Sequence, residues 1–185
     1  MSNPAQAASA VSPRPLTTVS PTGSEGRPPG ETVGASPVLS ALLILLVMVL
    51  VTVGLNPNRE EFRWFLQLRR PAWLTFERWI PLIWLVIYGC FYGSALISWM
   101  ASSRWDLMAG YLLLLVLVQS YTLVICRTRR LRNGTVLGFL GWAWGIAVAI
   151  AVAPVSRIGC LLLVPYLLWS PVGTYVTWQM QRINR

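Results

Sequence analysis

Five stretches of this chain carry no charged residue: Thr32–Asn58, Trp79–Ser103, Leu107–Cys126, Asn133–Ser156 and Ile158–Gln181. A helix needs about 20 predominantly apolar residues to cross a bilayer. Each stretch therefore accommodates one crossing, and none holds two. Continuous apolar runs of this length lack the inside–outside alternation of a membrane β-barrel. The prediction is an all-α membrane protein, a bundle of five transmembrane helices occupying residues 37–185. Their predicted cores are 38–55, 80–101, 107–126, 134–155 and 158–181. Composition agrees, since 55% of the 185 residues are hydrophobic and only 11% are charged, against about 25% charged in soluble domains.

Residues 1–36 are rich in Ala, Ser, Thr, Pro and Gly and nearly devoid of large apolar side chains. Such a segment buries too little surface to offset chain entropy and is expected to be a disordered tail. An organelle transit peptide would be richer in arginine and poorer in acids. Here Arg14 and Arg27 are balanced by Glu25 and Glu31, so a bacterial membrane is favoured over an organelle.

The net charge of +9 comes from arginine alone. Arg59, Arg63, Arg69, Arg70, Arg78, Arg127, Arg129, Arg130, Arg132, Arg182 and Arg185 fall on one side of the five-span topology. Arg27, Arg104 and Arg157 fall on the other. The positive-inside rule then places the N-terminus outside and the C-terminus in the cytoplasm. This distribution accounts for the basic charge by topology and membrane lipid, and a nucleic-acid partner is not expected. The one long connection, Asn56–Arg78, is amphipathic and exceeds the 2–8 residues or so that joining two helices requires. It is expected to fold over one mouth of the bundle, with Trp64 read as an interfacial anchor.

No Asp, Glu, Lys or His lies inside a span, and the chain has no histidine at all. Ion-coupled pumps and proton relays usually place such residues in the membrane, and hydrolytic dyads need a general base. Cys90, Cys126 and Cys160 sit singly in separate apolar runs, which supports neither a metal site nor a disulfide framework. Glycines recur at close helix-packing spacings, as Gly89 and Gly93 and as Gly134, Gly138, Gly141 and Gly145. They are expected to let helices approach within one protomer.

Aromatic surface is what remains. Of ten tryptophans, Trp84, Trp99, Trp142, Trp144 and Trp169 lie within or beside apolar spans. A cavity lined by such rings suits a large, flat, apolar small molecule. Trp79, Trp99, Trp105 and Trp178 lie near span ends and are read as belt or packing residues. The last span is unusual in holding Pro165 and Pro171, since a proline in a helix interior removes a hydrogen bond and costs about 3 kcal/mol.

The last span reads Pro165-Tyr166-Leu167-Leu168-Trp169, then Gly173-Thr174 and Arg182-Ile183-Asn184. Earlier in the chain, Arg70-Pro71-Ala72-Trp73 is followed by Trp84, Tyr88, Ala95 and Trp99. Together these resemble the TspO/MBR family, the tryptophan-rich sensory and translocator proteins, over roughly Trp64 to Asn184. The chain departs from the family pattern at Thr75-Phe76, Leu123, Cys126 and Leu137. Six residues separate Tyr175 from Arg182, one more than the sterol-recognition pattern allows.

The resemblance implies a pocket for porphyrins or related tetrapyrroles, open toward the long first loop, and a homodimer as a frequent assembly. Trp84 and Trp169 match the tryptophans that family members use in light-dependent porphyrin breakdown. Pro71 and Trp73 match the loop covering the pocket, and Tyr88 and Tyr166 fall on its walls. Trp142 joins this candidate set as a ring within a span. No cofactor is required and no metal site is expected. Without histidine, metal-free porphyrin is favoured over haem with an axial histidine. The expected function is an integral membrane tetrapyrrole-binding receptor or sensor in porphyrin handling. A facilitative transporter and a light-dependent porphyrin-degrading enzyme are the alternatives.

Overall fold

A computed structural model of the chain describes residues 36–184; the expected tail at residues 1–35 and the final arginine lie outside that range. The described residues form six α-helices, α1 (Pro37–Gly54), α2 (Arg59–Leu66), α3 (Ile80–Ser102), α4 (Trp105–Thr128), α5 (Leu131–Val152) and α6 (Arg157–Ile183). All but α2 are long and apolar enough to cross a membrane. The fold is the five-span helical bundle.

Local chemistry sets the helix ends. Ser36, assigned to the tail by composition, is the N-cap of α1. Its Oγ accepts from Leu39 N at 3.2 Å, and Pro37 follows at a position that needs no N–H donor. Ser156 caps α6 in the same way, accepting from Gly159 N at 3.0 Å. Between α4 and α5 only Arg129 and Arg130 intervene, with Arg129 in the left-handed region at φ 50°. That tight reversal lets α5 begin at Leu131, three residues before the expected core. At its other end α5 stops at Val152 rather than running to 155. Ala153 is still helical and donates to the Ala149 carbonyl at 2.9 Å, but Pro154 has no N–H with which to continue the ladder.

The bundle is held most closely around α6, which packs along α5 on one side and α3 on the other, while α4 closes on α5. Glycines make this possible. A Cβ added at Gly134 would collide with Ile125, one at Gly138 with Thr174 Oγ1, and one at Gly145 with Tyr166 Cε1 at 2.6 Å. The α5 glycine stripe is thus consumed inside the protomer. Gly89 on α3 is different, with nothing within 4 Å of an added Cβ.

Where α3, α4 and α6 meet, a wholly buried hydroxyl cluster replaces apolar packing. Ser94 Oγ donates to the Gly159 carbonyl at 2.6 Å, and Tyr111 Oη lies 2.5 Å from Ser94 Oγ. Sealed from water, these groups satisfy one another.

The first loop covers one end of the bundle. Helix α2 and the turn after it lay Trp64, Phe65 and Leu68 on a small core of Ile125, Leu131 and Met180. Trp64, expected as an interfacial anchor, is half-buried there against the helix ends. Asn184 fastens the loop to α6, accepting from Arg69 N at 2.9 Å and donating through Nδ2 to the Arg69 carbonyl at 2.9 Å. Arg70 pairs with Glu77 within the loop, and burial holds its guanidinium below the usual arginine pKa.

Candidate functional site

A narrow recess of about 40 Å³, open on one side, lies among α3, α4, α5 and α6. Trp84 comes from α3, Leu117, Val118 and Tyr121 from α4, and Leu137, Gly138 and Gly141 from α5. Helix α6 contributes Tyr166, Trp169, Ser170, Gly173 and Thr174. A second, smaller recess lies beyond Trp84, Val118 and Tyr166, which line both, and it is otherwise walled by Ile87, Tyr88, Phe91 and Leu115.

Of the residues singled out from sequence, Trp84, Tyr166 and Trp169 line the main recess. Tyr88 lines the inner one, stacks beside Trp84 with centroids 5.5 Å apart, and donates to Gln119 Oε1 at 3.1 Å. Pro71 is buried at the start of a turn closed by Leu74 N donating to its carbonyl at 3.1 Å. That turn presents Trp73, whose Nε1–H donates to Gln179 Oε1 and whose ring lies 6.0 Å from Tyr175. Trp73 thus sits outside the recess. It communicates through Phe76, 6.2 Å away, whose ring stands edge-on to Trp169 at 6.1 Å.

Trp142 does not line either recess. Its Nε1–H donates to the carbonyl of Leu167 at 3.1 Å. Within a helix that carbonyl would accept from the residue four positions on, which here is Pro171 and has no N–H. Trp142 supplies the missing donor, so α6 runs unbroken through its second proline. The cost of that proline is offset by a neighbouring helix, as membrane bundles allow.

The tryptophans divide by what they do with their indole N–H. Trp73, Trp99, Trp142 and Trp144 each donate to a protein acceptor. Trp84 and Trp169, the two in the recess, donate to no acceptor among the described residues, and neither do Trp64, Trp79, Trp105 and Trp178. Tyr121, Gly138, Gly141, Gly173 and Thr174 also shape the recess, although sequence reasoning took Gly138 and Gly141 as packing only. Tyr121 Oη contacts Thr177 Oγ1 and donates to the Gly173 carbonyl at 3.3 Å. Thr174 Oγ1 donates to its own helix at Ser170 O, 2.9 Å away. No ionisable carboxylate, arginine or cysteine lines the recess. Among the described residues no cluster of three His, Cys, Asp or Glu is positioned for a metal ion. The recess can stack on an apolar ring system and hydrogen-bond its edges, without a charged group to drive acid–base chemistry.

Comparison with known proteins agrees with this architecture. The chain is 26% identical over 126 residues to the tryptophan-rich protein TspO of Bacillus cereus, covering 65% of this chain and 80% of that protein. The model of the TspO/MBR family matches residues 40–183, from the first turn of α1 to the end of α6. This multi-pass integral membrane protein belongs to the TspO/MBR family.

Proposed function

We propose that the protein is a membrane receptor or sensor that binds a planar tetrapyrrole, metal-free porphyrin before haem, in the recess between α3 and α6. The observation that carries this reading is the pairing of Trp84 and Trp169 across an otherwise uncharged recess, both with unengaged indole N–H groups. Their faces suit an apolar macrocycle, and their donors suit the acceptor groups on its rim. Absence of histidine removes the usual axial ligand of haem iron.

A tetrapyrrole is larger than the recess in its present form, so binding requires widening. Trp84, Val118 and Tyr166 separate the two recesses, and rotation of Trp84 would join them. On the loop side, Phe76 against Trp169 is the contact that a ligand would displace. A panel of porphyrins, haem, bilins and sterols tested by thermal stabilisation checks the ligand class, because selective binding raises apparent stability. Planar porphyrins are expected to give the largest shift. An equal or larger shift with a sterol would overturn the assignment.

A further inference from the structure

Helices α4 and α5 are joined through a cluster of arginines. Arg127 lies in the last turn of α4, Arg129 and Arg130 form the connection, and Arg132 opens α5. All four are exposed. Arg127 approaches Glu61 on α2 at 3.8 Å, whereas Arg129, Arg130 and Arg132 pair with no carboxylate among the described residues. Three guanidinium groups thus crowd together, mutually repelling, where two apolar spans leave the membrane. Arg129 moreover holds φ 50° and ψ 30°, a left-handed conformation that helix ends usually give to glycine because a Cβ is disfavoured there. Orientation in the membrane needs only positive charge near the span ends, which Arg127, Arg130 and Arg132 already supply. It does not call for a fourth arginine at the one strained position of the turn.

An apolar surface descends from these charges into the bilayer. Val136, Leu140 and Trp144 follow Arg132 at intervals of four, along one of the oblique ridges of a helix surface. Phe139, two turns below Arg132, stands beside that ridge. Val136, Phe139 and Leu140 are 54%, 59% and 50% exposed, so no other helix of the bundle covers them. The ridge ends at Trp144, whose ring is fixed by its Nε1–H bond to the Gly110 carbonyl at 3.0 Å. At 1.5 Å per residue, Arg132 to Trp144 spans about 18 Å, enough to follow the 15 Å or so of hydrocarbon in one leaflet.

We propose that the α4–α5 turn and this ridge form a docking site for one anionic phospholipid. Arg129, Arg130 and Arg132 hold its phosphate, and an acyl chain lies over Val136, Phe139 and Leu140. The guanidinium fork matches phosphate oxygens in geometry and charge. A lipid with net negative charge relieves the repulsion among the three arginines, whereas a zwitterionic headgroup brings a cation of its own into the cluster. Arg127 contributes less, since Glu61 already faces it. The ridge selects a lipid over free phosphate, which would occupy the turn and leave the apolar surface without a role. This site is separate from the recess, which Val136, Phe139 and Leu140 do not line.

The test is photolabelling of the full chain in phosphatidylcholine vesicles that contain a trace of phosphatidylglycerol bearing a diazirine in its acyl chain. Both leaflets have the same composition, so a variant inserted in the reverse orientation meets the same headgroups. Peptide mass spectrometry is expected to find label on Val136, Phe139 or Leu140, about tenfold more than from a phosphatidylcholine probe with the same diazirine. Combining Arg129→Gln, Arg130→Gln and Arg132→Gln should remove that preference. Combining Arg59→Gln, Arg63→Gln and Arg78→Gln, which takes the same charge from the same end of the bundle, should keep it. Equal losses in the two variants would reduce the effect to diffuse charge and overturn the site. Equal labelling by the two probes in wild type would overturn it without recourse to any variant. Displacement of the label by inorganic phosphate, and not by sulfate at matched ionic strength, would assign the arginines to a free anion and likewise overturn lipid docking.

Discussion

Helices α1 and α5 are both apolar membrane spans, yet they are held to the bundle by different physics. Helix α5 presents glycines, so the α6 side chains Tyr166 and Thr174 come within a methyl group's reach of its backbone. Helix α1 buries only Ser40 and Met48. It is tethered by hydrogen bonds, from Trp99 Nε1 to Ser40 Oγ at 3.1 Å, Tyr92 Oη to the Ala41 carbonyl at 3.1 Å, and Gln119 Nε2 to Thr52 Oγ1 at 2.5 Å. Lipid is as apolar as leucine, so hydrophobicity cannot favour either helix contact. Close packing carries one and polar tethers carry the other. The recess lies on the closely packed side, where wall positions are fixed by backbone approach, and α1 does not line it.

That contrast orders the expected effects of mutation. Gly145→Ala drives a Cβ into the Tyr166 ring and is expected to cost about 2–3 kcal/mol of stability, measured by unfolding in mixed detergent. Gly89→Ala, with open space around it, leaves the midpoint unchanged; equal losses at both sites would erase the distinction. Trp142→Phe strands the Leu167 carbonyl and should cost about 1–3 kcal/mol. Restoring a backbone N–H with Pro171→Ala should reduce that cost, a coupling that a double-mutant cycle reads directly. If Trp142→Phe costs the same in both backgrounds, the proline-capping role is refuted.

Smaller effects follow at the loop and at α1. Asn184→Ala removes two bonds to the Arg69 backbone, about 1 kcal/mol. Faster proteolysis within Arg69–Arg78, with the spans intact, is the expected readout. Tyr92→Phe deletes one tether of α1 and should cost about 0.6 kcal/mol, the mean for side-chain hydrogen bonds in membranes. A loss as large as that of Gly145→Ala would show that α1 is held more firmly than its contacts indicate.

Much of the fold was legible because charge marks where a chain leaves the membrane. Arg78, Arg104, Arg132 and Arg157 bracket the spans, and the helices begin and end within a few residues of them. The α5 end was misread because Pro154 carries no charge and so was counted into the run. For the site, aromatic content and family resemblance pointed to Trp84, Tyr166 and Trp169, and these share the recess. Trp142 looked equivalent in sequence, but the register of α5 against α6 aims it at Leu167 instead. Pro171 has no visible meaning until that contact is seen. Likewise nothing in the string shows that Gln179 joins Trp73 to Tyr175, since 106 residues separate it from Trp73.

The most direct measurement is a protoporphyrin titration of wild type against the Trp84→Phe, Trp169→Phe double variant, read by quenching of the remaining tryptophans. Trp105→Phe, altering a ring that is 77% exposed, serves as the control. Removing both indoles should weaken binding about tenfold, corresponding to roughly 1.4 kcal/mol of lost stacking and hydrogen bonding, while the control binds as wild type does. A double variant that binds as tightly as the control would place the ligand elsewhere and contradict the assignment of the recess.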